Sequence, residues 1–134
     1  MARRAIALVC LLPSACLAQA CDAELAGGSR LESARFVVGF RTEPQTVAVG
    51  KHFAMTISVC PKAGVQTPES VSVDAVMPEH RHGMNYKAQV TSASPPGSYH
   101  ASGLMFHMPG RWEFVFDVRS GDRTDRLTRP IVVQ

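Results

Sequence analysis

Apolar side chains recur at every second position over several stretches of this chain, with polar ones between them. In "GRWEFVFDV" Trp112, Phe114, Phe116 and Val118 fall on one side, and Glu113, Val115 and Asp117 on the other. "HFAMTISVC" places Phe53, Met55, Ile57 and Val59 together, and "SVSVDAVM" does the same for Val71, Val73, Ala75 and Met77. "RFVVGF" opens the series and "RLTRPIVV" closes it. A period of two marks half-buried strands, and no segment sustains a helical period. Turn signals punctuate the runs at Glu43-Pro44, Gly50, Pro61 to Gly64, Pro95-Pro96-Gly97, Pro109-Gly110 and Gly121-Asp122. The pattern predicts an all-β domain over residues 35–134, an immunoglobulin-like antiparallel β-sandwich of about seven strands.

The first 34 residues follow different rules. "MARR" is a basic lead, "AIALVCLL" an apolar run too short to span a bilayer, and "LAQA" ends in a small-x-small pattern. Residues 1–20 therefore read as a signal peptide cut before Cys21, and residues 21–34 as a flexible lead-in. Export to the periplasm or beyond makes a disulfide the default for the two remaining cysteines, Cys21 and Cys60. Lipidation of Cys21 is the minor alternative, since that residue would head the mature chain. No later stretch is long and apolar enough for a transmembrane helix.

Charge adds little. The formal charge of +3 counts Arg3 and Arg4, so the exported chain is close to neutral. Its arginines are scattered, without the basic stripe that nucleic acid needs. No paired carboxylates, serine–histidine arrangement or phosphate-cradling glycine loop is present, which points away from an enzyme.

Candidate chemistry concentrates in two short segments. "MPEHRHGMNY" holds His80, His82 and Met84, and "GLMFHMPGRW" holds Met105, His107 and Met108. If residues 79–86 were extended, His80, His82 and Met84 would share a face; a turn at Gly83 would gather them differently. Pro78 and Pro109 mark strand ends, where sandwich loops collect. Thioethers are soft, neutral donors that suit Cu(I), while zinc prefers Cys, His and carboxylate. Blue copper needs a thiolate, and Cys60 is assigned to the disulfide. The expected metal site is therefore His80, His82, Met84, His107 and Met108, with copper as Cu(I). Met55 and Met77 read as core fillers, Met105 as core or ligand, and His52 and His100 as surface residues. Glu79 is either an outer acceptor for an imidazole N–H or simply solvated, and Asn85 and Tyr86 brace the loop.

"DAVMPEHRHGMNY" followed by "GSYHASGLMFHMPGRWEFVFDV" resembles the YtkA-like/FixH-type family of small exported immunoglobulin-like domains. The likeness covers Asp74 to Val118 through its Met-Pro, His-Gly-Met and Pro-Gly-Arg-Trp elements. It implies a β-sandwich outside the cytoplasmic membrane, tied to copper handling and cytochrome oxidase maturation. FixH-type members usually carry a membrane anchor, and none is visible here. The expected function is a periplasmic Cu(I) carrier or buffer exchanging copper with a donor or acceptor protein of the envelope. The alternative is a metal-free immunoglobulin-like interaction module.

Overall fold

Nine strands form among residues 21–134, the part of the chain that the computed structural model describes. The expected signal peptide lies outside the described residues. In chain order the strands are β1 (Ser29–Glu32), β2 (Phe36–Glu43), β3 (His52–Pro61), β4 (Ser70–Met77), β5 (His82–Gly83), β6 (Gln89–Ala93), β7 (Ser98–Met105), β8 (Gly110–Ser120) and β9 (Arg123–Val133). They make two antiparallel sheets, ordered β1-β2-β3-β7-β6 and β5-β4-β8-β9. With β1 set aside, those orders are the A-B-E-D and C′-C-F-G arrangement of immunoglobulin-like sandwiches. The expected all-β class and sandwich are thus what the chain adopts. The strand count exceeds the expected seven because β1 and β5 are only four and two residues long. No period can be read over so short a span.

The inward positions are those the alternation marks. Phe114, Phe116, Val118 and Trp112 of β8, with Met55, Ile57, Val59, Ala75 and Met77, are at most 2% exposed. Rings then link into a column along the core. Phe40 meets Phe116 at 4.8 Å and Phe114 at 5.7 Å, Phe114 meets Phe106 at 5.6 Å, and Phe106 meets Trp112 at 4.9 Å. Such tilted and edge-on pairs add to the apolar burial of each ring. β9 can hold Pro130 because it is an edge strand, where a missing N–H costs no ladder bond.

Residues 21–34, expected as a loose lead-in, include β1 and a stretch laid over the outer face of the first sheet. Cys21 is disulfide-bonded to Cys60, with Cα atoms 5.5 Å apart. The Ser58 hydroxyl donates to the Asp22 carbonyl at 2.7 Å, and Ala23 is buried. Beneath it sits Gly39, where a Cβ would lie 1.8 Å from the Ala23 carbonyl oxygen. Only glycine permits that approach. The bridge also occupies the sulfur that a lipid on Cys21 would require. Among the described residues no helix is long and apolar enough to cross a membrane.

The two sheets are also tied by a charged contact at the β8–β9 hairpin. Arg35, before β2, donates through Nε to Asp125 Oδ1 at 2.7 Å and through Nη1 to the Ser120 carbonyl at 3.3 Å. The Ser33 hydroxyl donates to Asp125 Oδ2 at 2.5 Å. Both ionic side chains are mostly buried, 14% and 12% exposed. Burial pushes the Asp125 carboxyl up, but the Ser33 hydroxyl and the Arg35 guanidinium outweigh it and hold the carboxyl below its ordinary range. A group lowered by folding adds stability above its unfolded value, near pH 3.9, and loses that contribution as pH falls through the folded value.

Two outcomes follow from these ties. Asp125→Asn should destabilise the protein at pH 7 by on the order of 3 kcal/mol, since Arg35 is left buried and unpaired. Thermal melts should show the gap to wild type narrowing below about pH 4, where the wild-type carboxylate protonates; a gap constant from pH 7 to pH 2 contradicts the assignment. Intact mass after alkylation should show Cys21 and Cys60 blocked before reduction and labelled after it, with a reduced protein about 4 kcal/mol less stable on the chain-entropy estimate. Two thiols labelled without reduction would refute the bridge.

Candidate functional site

The first segment is a hairpin. β4 ends at Met77 and Pro78 begins the turn, its fixed φ suiting the second position of a type I turn. The backbone N–H groups of His80 and Arg81 both donate to the Met77 carbonyl, at 3.1 and 2.8 Å. Arg81 takes a left-handed conformation, φ 55°, which swings the chain back into pairing. His82 then lies opposite Met77 and Gly83 opposite Val76. The Met84 N–H continues the ladder to the Ala75 carbonyl at 3.1 Å. The turn thus sits at 78–81 rather than at Gly83, and His80 belongs to it instead of an extended face.

Register decides where His82 points. Directly opposed residues of an antiparallel pair share a face, so His82 shares the inward face of Met77. Val76 is opposite Glu113, which sets Trp112 level with Met77 on the other side of β4. Trp112, Met77 and His82 therefore form a row across the inward face at the end of the second sheet. The second segment arrives from the first sheet. After β7 the Gly50 N–H donates to the Phe106 carbonyl at 2.8 Å, Phe106 is buried, and His107 follows.

The two segments meet. The His82 and His107 rings are 5.1 Å apart, and both stand edge-on to Trp112, at 5.7 and 5.3 Å. His80 joins from the turn, 5.7 Å from His82. The histidines thus cap the aromatic column at one end of the sandwich. His82 Nδ1 is 3.1 Å from the Gly83 carbonyl; a carbonyl only accepts, so in that contact Nδ1 is the donor. Nδ1 of His107 is buried, with no hydrogen-bond partner among the described residues. An orphan nitrogen of this kind is costly unless something binds it.

The thioethers are placed differently. Met84 and Met108 are half-buried and pack against the hydrophobic core. The loop carrying Met108 is fixed by Trp112, whose Nε1 donates to the Met108 carbonyl at 3.1 Å. Met105 is half-buried on β7 rather than in the core, Glu79 is exposed, and His52 and His100 are exposed as expected. Tyr86 leans edge-on against His52 at 5.3 Å. Among the described residues, no group of three or more His, Cys, Asp or Glu side chains is arranged to hold a metal ion. The three imidazoles form a row rather than a cage. The 5.1 Å between the His82 and His107 ring centroids is short enough for two imidazoles to reach a common ion.

Trp112 was legible as a core residue by its alternation but not as a neighbour of the histidines. Its place beside the Pro109-Gly110 turn was the only available signal. Gly110, φ 134°, keeps that turn tight, since a Cβ there would strike the Met77 methyl at 2.6 Å. Comparison with known protein families, characterised proteins and solved structures finds no match to this chain.

Proposed function

We propose that this protein is exported to the periplasm and binds copper there as Cu(I), either carrying it to an acceptor or buffering it. The observation that carries the reading is the meeting of His82 and His107, from segments 25 residues apart in the chain, against Trp112 at one end of the sandwich. Imidazole is a good ligand for copper, and thioether sulfur favours its reduced form. Met84 and Met108 lie in the same two segments as the imidazoles.

The gradation of exposure suits exchange. His80 is exposed, while His82 and His107 are half-buried. An arriving ion meets the solvated imidazole of His80 first and the inner pair second. Departure reverses the order, one ligand at a time, so that an acceptor's donors replace each in turn. Neutral ligands make each exchange cheap, because no charge is stranded in the core. The chemistry is binding and release, without a bond-making step, and the reading is of a carrier rather than an enzyme.

A second reading, a metal-free interaction module, is favoured by Tyr86, 49% exposed beside the same loops. A Cu(I) competition titration separates the two. Wild type should compete with a strong Cu(I) chelator and quench the fluorescence of Trp112, the single tryptophan. The His82→Ala/His107→Ala double variant should bind roughly 100-fold more weakly or worse, beyond the loss typical of outer-shell partners. Met84→Leu/Met108→Leu should fall between. Wild-type binding weaker than millimolar, or equal affinity in all three proteins, ends the carrier reading.

A further inference from the structure

The histidine site leaves one His/Met pair unused. His52, the first residue of β3, is directly opposite Met105, the last residue of β7. The next pair inward is Phe53 and Leu104, both buried, so His52 and Met105 project from the opposite, outer face. Side chains so opposed have Cβ atoms about 4.5–5.5 Å apart. His52 is exposed and Met105 is half-buried. Tyr86, in the loop after β5, stands edge-on beside His52 with the ring centroids 5.3 Å apart.

We infer that His52 and Met105 form a second soft-metal locus, which takes a monovalent d10 ion between one imidazole nitrogen and one thioether sulfur. This rests on the copper reading of the neighbouring histidine site. Such ions accept few ligands and tolerate neutral ones, so an N/S pair on a rigid ladder is sufficient for a weak, exchangeable hold. Strands fix the two donors better than loops would. The locus is also close to the first site. Met105 and His107 are two residues apart, which limits their Cα separation to about 7 Å. A short run of backbone thus joins the two loci, with His52 and Met105 on the outer face and His82 and His107 against Trp112.

The test is an Ag(I) titration of the disulfide-bonded protein, with Ag(I) as the redox-silent counterpart of Cu(I). Native mass spectrometry counts ions, and methyl NMR of labelled methionines reads Met105 directly. Wild type should take two Ag(I) per chain, with the Met105 methyl resonance shifting. His52→Ala should take one, with Ag(I) binding at Met105 at least tenfold weaker and its methyl shift lost. Met105→Leu, conservative at a half-buried outer position, should also take one while melting as wild type. The His82→Ala/His107→Ala variant should keep one ion and keep the Met105 shift. A wild type that binds one ion, with His52→Ala unchanged, overturns the second locus and leaves the first intact. A Met105 shift that disappears in His82→Ala/His107→Ala assigns Met105 to the first site and equally overturns it. Two ions retained in His82→Ala/His107→Ala would instead refute the histidine site, and no binding by wild type would refute both.

Discussion

Burial of one face of β8 is the constraint on which the rest of this molecule depends. Trp112, Phe114, Phe116 and Val118 occupy alternate positions of a central strand, flanked by β4 and β9 and covered by the first sheet. A slip of one residue in either ladder would turn all four outward. Each large side chain buried is worth about 1.5–3 kcal/mol, so the register is strongly specified. Everything positioned by that register inherits its precision.

The histidine cluster is positioned in this way. β8 sets β4, β4 sets the two-residue β5, and β5 aims His82. A strand as short as β5 has no independent stability; its place follows from the turn at Pro78–Arg81 and from the ladder bond of Met84. His107 comes from the other sheet, and Phe106 beside it is gripped by the same aromatic column that ends at Trp112. A polar site is thus mounted on the end of an apolar core rather than on mobile loops. This gives the imidazoles a dry side against the rings and a wet side toward His80.

The opposite end of β8 is secured by different means. There Arg35, Ser33 and Asp125 join the sheets through hydrogen bonds to a mostly buried carboxylate. The Cys21–Cys60 bridge holds the lead-in over Gly39 and Ser58 on the outer face of the first sheet. This bridge lies within one sheet's outer layer, whereas immunoglobulin domains commonly place theirs between sheets, with a tryptophan packed on it. Here the tryptophan packs on histidines instead. The sandwich topology is shared, and the surroundings of the tryptophan are not.

Alternation alone located β2, β3, β4, β8 and β9 but not β6 or β7, and with them the core roles of Met55 and Met77, because burial with a period of two acts residue by residue along the chain. Cys21 and Cys60 were likewise legible as a pair, being the two cysteines after residue 20. β1, β5 and the docked lead-in were not, since a strand of two to four residues exists only through its partner. The crowding of His and Met in two segments was visible in the sequence, but their meeting was not. That depended on the β4–β8 register and on the path of the chain after β7. Nor could the sequence separate the sulfur of Met84 and Met108, packed on the core, from the imidazoles that adjoin Trp112, or pair His52 with Met105. Local pattern determines which face a side chain takes; only the assembled sheets determine which side chains from distant segments share a place.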